Sequence, residues 1–340
     1  MGDNMDISTL LNDCPQNLII QDALVKCYTE VKYHDQIVAS VSGGSDSDIL
    51  TDLIIRCGGK DKTKFVFFNT GLEYEATKRQ IQYINDKYGI EVDVISPIKP
   101  IPLCVREYGV PFWSKQVSEM MMRLQKHNFK WEDRSLEDLL VEYPKCKAAL
   151  KWWCNSWGKD GKISPYDIDY VRHLKEFIIQ NPPTFKISNK CCYYAKKLPA
   201  TKFKESVDCD LNCVGIRRSE GGARRTRYSS CFTQGFGTTD EYRPLFWFND
   251  TDKKMYDEHY GIQHSDCYEV WGMKRTGCAG CPFGRNFEEE LSLAEKYEPK
   301  FHKAMLNVFG DSYSYRRKFE VFRKQKILQQ KSLDSELEVV

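Results

Sequence analysis

The chain has 340 residues, of which 41% are apolar and 29% charged, an ordinary globular balance with material for a sizeable core. That length suits one large domain with an insertion, or one domain plus a smaller one. The formal net charge of +2 excludes a polyelectrolyte, so any contact with nucleic acid falls to a local patch.

The N-terminus, "MGDNMDISTL", lacks the basic-then-apolar layout of a signal peptide, and Asp6 stands where myristoylation expects Ser or Thr. No apolar run is long enough to cross a bilayer. A cytoplasmic protein is expected. Residues 17–31 repeat apolar side chains at helical spacing, and "QIVASVS" at 36–42 reads as a short buried strand. A helix over 47–59 ends on Gly58-Gly59, and a second strand follows at 64–71. An amphipathic helix over 75–89 stops at Gly89, and a third strand over 91–97 stops at Pro97. Alternating strands and helices predict an α/β fold with a doubly wound, mostly parallel sheet. From 113 to 180 the pattern turns helical and carries Trp131, Trp152, Trp153 and Trp157, which read as core. The sheet is expected to resume at 212–218 and 243–248. A helix follows over 249–261, capped by Asp250 or Thr251, and the charged tail from 287 is helical. The expected organisation is a nucleotide-binding α/β domain over 1–130 and 183–286, a helical insertion at 131–182, and a helical extension at 287–340.

The first strand ends in "VSGGSDSDIL". That is where doubly wound sheets bind ligands. Gly43 and Gly44 let the backbone turn its N–H groups inward, and the following helix adds positive potential. Ser42, Ser45 and Ser47 offer hydroxyl donors to phosphate oxygens, and Asp46 offers a carboxylate for Mg2+ beside one. The loop is neither the dinucleotide fingerprint nor the G-x-x-x-x-G-K-[ST] loop. Five arginines, Arg217, Arg218, Arg224, Arg225 and Arg227, lie close together around Gly221-Gly222. Guanidinium forks suit phosphate or sulfate, although a solvated basic loop or a nucleic-acid patch has the same composition.

These segments resemble a known family. S-G-G-x-D-S after the first strand is similar to the pyrophosphate-binding loop of the adenine nucleotide α-hydrolases, the PP-loop ATP pyrophosphatases. "FFNTG" at 67–71, with Thr70 and Gly71, matches their second nucleotide-contacting turn. "YGVPFWSK" at 108–115, ending in Lys115, resembles a segment of the phosphoadenosine phosphosulfate (PAPS) reductase branch. Gly215, Arg217, Glu220 and Arg224 fit that branch's G-x-R-x-x-E-x-x-x-R pattern, with Gly221 where Ser is usual. The resemblance implies an adenine nucleotide on the loop, an Arg217/Arg224 clamp at the phosphates, and Lys115 orienting an α-phosphate or sulfonate. It does not cover 131–182 or the tail.

Fourteen cysteines in a reducing compartment point to metal rather than disulfides. Cys27 and Cys57 read as buried hydrophobes. Cys191-Cys192 and Cys278-x-x-Cys281 together supply four thiolates, enough for zinc or a [4Fe–4S] cluster. The spacing resembles the cluster-binding arrangement of adenylyl-sulfate reductases, so a [4Fe–4S] cluster is favoured over zinc. Cys209, Cys213 and Cys231 are reserve ligands or core. After Cys281 the chain holds no cysteine, so the C-terminal nucleophilic cysteine of those reductases is missing, while the glycine loop is whole.

The leading expectation is therefore an ATP-dependent sulfur-transfer enzyme. It adenylates a substrate, releases pyrophosphate, and carries a [4Fe–4S] cluster. A sulfur donor protein and a nucleic-acid acceptor are the expected partners. Sulfonucleotide reduction through Cys231 is the enzymatic alternative, and a nucleic-acid-binding module the non-enzymatic one.

Overall fold

Short runs rich in β-branched and aromatic residues, separated by amphipathic helices, favour a sheet with crossover connections. The computed structural model describes residues 6–221, 227–236 and 238–337, with side chains as far as residue 330. Its strands are β1 Ile37–Ser40, β2 Thr63–Phe68, β3 Val92–Ile95, β4 Leu211–Cys213, β5 Phe232–Thr233 and β6 Asp240–Tyr242. Their order is β3-β2-β1-β4-β6-β5, and every pairing is parallel except β5 with β6. Ile37 of β1 aligns with Thr63 on one side and Leu211 on the other. The chain runs outward from β1 to β3, then returns to the opposite side of β1. Such a reversal opens a crevice at the carboxyl ends of the two central strands, here β1 and β4.

Four helices frame that crevice: α1 Leu18–Tyr33, α2 Ser45–Arg56, α3 Glu75–Tyr88 and α4 Asp250–Tyr260. The inner face of α2 buries Ile49, Leu50, Leu53 and Ile54 in one core with Leu24, Ile37, Ala39 and Phe65. Each fully buried side chain of this kind contributes about 1.5–3 kcal/mol. Helix ends follow local chemistry: α3 and α4 stop at Gly89 and Gly261, both left-handed. The cap of α4 is Asn249, one residue before the expected Asp250 or Thr251. Its side chain accepts from Thr251 N at 2.7 Å and Asp252 N at 3.0 Å, and Asp252 accepts in return from Asn249 N.

One expected strand is absent. "RPLFWF" at 243–248 is a run of turns, with Phe246 N bonded to Arg243 O and Phe248 N to Leu245 O, both at 3.0 Å. Leu245, Phe246 and Phe248 are buried, so the apolar run reports burial rather than extension. The sheet pairing lies just before it, in β6.

The chain divides into two compact units. One comprises residues up to Ile98 together with Tyr194–Ala279, and holds the whole sheet; the other comprises Lys99–Tyr193 and residues from Gly280 on. In the second unit Trp131, Trp152 and Trp153 are buried with Phe112, Phe129 and Phe177. Tyr315 and Phe319 of the C-terminal helix Pro299–Leu337 belong to the same core. Trp157 is 44% exposed and stays outside it.

Candidate nucleotide site

The loop after β1 is built by two glycines and braced by one serine. Gly43 has φ +63°, a conformation that favours glycine, and a Cβ there would lie 2.8 Å from Thr77 Cγ2. Gly44 caps α2 without a side chain; its carbonyl accepts from Ser47 N at 2.8 Å and Asp48 N at 3.2 Å, and the helix N-terminus adds positive potential at the loop. Ser47 Oγ donates to Gly44 O at 2.7 Å and accepts from Ser42 N at 3.1 Å. Ser42 Oγ donates to the same hydroxyl at 3.1 Å. Ser47 thus closes the turn.

Two cations converge on Asp46. Its Oδ1 pairs with Arg217 Nε at 3.0 Å and with Lys253 Nζ at 3.1 Å. Lys253 also donates to Ser45 Oγ, and Arg217 pairs with Asp250 at 2.8 Å. Burial works against the charge on Arg217, but Asp46 and Asp250 outweigh it and hold the guanidinium above its ordinary value. The approach of the two loops depends on Gly215, where a Cβ would sit 3.1 Å from Asp46 O. Glu220 supports Arg217 from behind: it accepts from Arg217 N at 3.3 Å and faces Arg275 at 3.7 Å.

Tyr268 and Thr276 form a further wall. Tyr268 OH lies 2.9 Å from Thr276 Oγ1 and accepts from Thr276 N at 3.0 Å. A Cβ on Gly44 would lie 3.3 Å from that hydroxyl and 3.4 Å from Thr276 Oγ1. Burial pushes the Tyr268 phenol up, so it stays a neutral donor. At the end of β2, Gly71 N bonds to Asn69 Oδ1 at 2.8 Å, and buried Thr70 donates its hydroxyl to Glu73 at 2.6 Å. Burial raises the Glu73 carboxyl, against Lys196 and Thr70.

The structure therefore brings together Ser42, Gly43, Gly44, Ser45, Asp46, Ser47, Gly215 and Arg217. Arg224 lies outside the described residues. Lys115 opens the helix Lys115–Gln125 in the second unit and is exposed. Cys191 and Cys192 share one helical turn, Lys190–Cys192, in the second unit with Cys281, while Cys278 falls in the first. The Cys281 turn uses Gly280 at φ +61° and is held by Tyr313, on Gly280 O, and by Arg316, on Gly284 O at 2.7 Å. The four thiols are chemically suited to soft metals. Among the described residues, no group of three or more His, Cys, Asp or Glu side chains is placed to hold a metal ion.

Lys253, Asp250, Tyr268 and Thr276 escaped the sequence reading. Lysines on an amphipathic helix are normally solvated, and nothing local marks Lys253. The available signal was spacing: residues 250, 253 and 257 share one helix face.

Residues 36–136 match the phosphoadenosine phosphosulfate reductase domain. The matched segment contains β1 to β3, the glycine loop and the turn at Thr70. No curated protein matches the chain. Among solved structures, it is similar to phosphoadenylyl-sulfate reductase of Candida auris in a phosphate complex, at 10% identity over 82% of this chain and 96% of that one, TM-score 0.41. It is also similar to the U34-tRNA thiolase NcsA of Methanococcus maripaludis with its [4Fe-4S] cluster, at 12% identity over 90% and 81%, TM-score 0.38. The NH3-dependent NAD synthetase of Campylobacter jejuni, with nitrate, aligns at 10% identity over 92% and 96%, TM-score 0.35.

Proposed function

We propose that the protein is an ATP-dependent sulfur-transfer enzyme that adenylates its substrate and releases pyrophosphate. The observation that carries this reading is Asp46, set between Arg217 and Lys253 on a glycine loop at the carboxyl ends of β1 and β4. Two cations around one carboxylate, at the N-terminal turn of a helix, form a seat for a polyphosphate with its metal.

In this reading the β- and γ-phosphates of ATP rest on the loop amides and on Ser42 and Ser45. Asp46 is the carboxylate that would hold Mg2+ beside the phosphates, where the ion would neutralise phosphate charge. Arg217 and Lys253 turn to the phosphates. A substrate oxygen attacks the α-phosphorus, its proton passing to solvent. The new O–P bond replaces the bond to the β-phosphate oxygen, and pyrophosphate leaves with the electron pair. Arg217 and Lys253 stabilise the charge that develops there. Sulfide then attacks the activated carbon of the substrate; the new C–S bond replaces the C–O bond to the adenylyl group, and AMP leaves with the electron pair. Cys191, Cys192, Cys278 and Cys281 carry thiols of the type that would hold a [4Fe–4S] cluster.

The test is turnover of ATP to AMP and pyrophosphate by reconstituted protein offered candidate acceptors, tRNA and DNA among them. AMP formation that depends on acceptor is expected. ATP bound no more tightly than ADP, with no AMP under any acceptor, would sink the reading. The match over 36–136 favours a second reading, sulfonucleotide reduction. Sulfite release from either sulfonucleotide, with thioredoxin as reductant, would establish it.

A further inference from the structure

The face of α4 presents three charges, and each has a different partner. Asp250 meets Arg217 at 2.8 Å, Lys253 meets Asp46 at 3.1 Å, and Asp257 meets His264 Nε2 at 3.1 Å. Gly261, at φ +62°, turns the chain so that His264 folds back on the helix it has just left. The other ring nitrogen, Nδ1, lies 2.9 Å from Asp48 Oδ2. Asp48 stands two residues after Asp46 on α2. Gln80 of α3 donates to the same oxygen at 3.1 Å.

This cluster is nearly sealed: the side chains of His264 and Asp48 are 10% and 3% exposed. Burial works against a charged imidazole, but Asp257 and Asp48 outweigh it and raise the ring to about 9. The ring is therefore a cation at neutral pH. The groups around it are Asp48 on α2, Gln80 and Tyr83 on α3, and Lys253 and Asp257 on α4. On its own segment Glu269 accepts from the His264 backbone N–H at 3.3 Å, and the Tyr268 ring lies 5.9 Å from the imidazole.

We propose that His264 is a positioning residue for the nucleotide loop. Its imidazolium joins α2 to α4 through Asp48 and Asp257, and so fixes the separation of Asp46 from Lys253. His264 itself touches neither Asp46 nor the phosphate seat. Without its charge, buried Asp48 and half-buried Asp257 are left without the cation between them, and like charges in a poorly solvated site repel. The cations of α4 then no longer converge on the loop. The proposal rests on the reading that this loop receives a polyphosphate.

The experiment compares wild type, His264→Gln and Asp257→Asn, all as full-length chains. The first variant keeps a hydrogen-bond donor and drops the charge; the second leaves His264 bound to Asp48. Affinities for Mg-ATP and for inorganic pyrophosphate are measured by calorimetry from pH 6 to 10, alongside ATP turnover. Both variants are expected to bind both ligands about tenfold more weakly, the scale of one weakened hydrogen bond to a charged group. KM should rise more than kcat falls. Wild-type pyrophosphate affinity should decline as pH passes about 9, and that decline should be absent in His264→Gln. Variants that melt earlier yet bind pyrophosphate like wild type would overturn the proposal and leave His264 a structural residue. Should neither variant fold, a wild-type affinity that stays flat to pH 10 overturns it equally. A wild type that binds pyrophosphate but never forms AMP refutes adenylation alone; one that binds neither ligand refutes both.

Discussion

Two aspartates of α2 lie six positions apart and show opposite uses of a buried carboxylate. Asp52 is closed off. Arg56 reaches it at 3.0 and 3.3 Å, Tyr256 OH at 2.7 Å and Tyr88 OH at 3.1 Å, so that each oxygen accepts two donors. Its side chain is 6% exposed, and its partner Tyr256 is fully buried. Asp46 is 19% exposed and is held by two cations, Arg217 and Lys253, from separate segments. Tyrosine hydroxyls and a neighbouring guanidinium make a permanent joint; an arginine and a lysine from separate segments make an exchangeable one. The same helix, α4, serves both, through Tyr256 for Asp52 and Lys253 for Asp46. Asp48 lies between them in sequence and in role.

Removing each carboxylate should separate the two uses. Asp52→Ala leaves Arg56 and two phenols without their acceptor, and should cost about 3–5 kcal/mol of unfolding free energy in urea. AMP formation per folded molecule should stay within about twofold. Asp46→Asn should do the reverse, with AMP formation down about 100-fold and unfolding free energy within about 1 kcal/mol of wild type. Lys253→Met is expected to raise KM for ATP about tenfold, the loss of one charge-assisted contact to phosphate. The smallest effect is that of Tyr88→Phe, about 1 kcal/mol in the same urea experiment, with unchanged KM. His264 adds a pH signature. Its folded pKa of about 9 stands above its ordinary value of 6.5. Its contribution to stability is therefore fully present below about pH 6.5 and lost as pH rises through about 9. Urea curves at pH 7 and pH 10 should show a larger drop for wild type than for His264→Gln.

The features most legible in the sequence are local ones. Gly89 and Gly261 stop helices by their own backbone freedom, and alternation of short apolar runs with helical periods implies a parallel sheet. The glycine loop announces itself because two adjacent glycines after a strand have few other uses. Asp46 and Arg217 stand 171 positions apart in the numbering, and each was singled out within its own segment; the structure adds that they meet. What the sequence hid depends on tertiary placement. Residues 243–248 are apolar because they are buried, and no periodicity distinguishes a buried turn from a strand. Lys253 lies beside Lys254 on a charged helix, and only the fold says which of the two faces the loop. His264 is a lone histidine after a helix stop, and its two carboxylates come from different helices.

Gly215 sets a tolerance for the whole site. The β4 loop passes so close to α2 that the thickness of one methyl group is the margin between them. The turn holding Arg217 and the turn holding Asp46 thus lie against each other, although they come from different strands. Anything that settles on the glycine loop should slow amide exchange at 215–217 as well as at 43–47. Gly215→Ala, by contrast, would act as a shim: it would lift the guanidinium from its carboxylate without removing a single charged group.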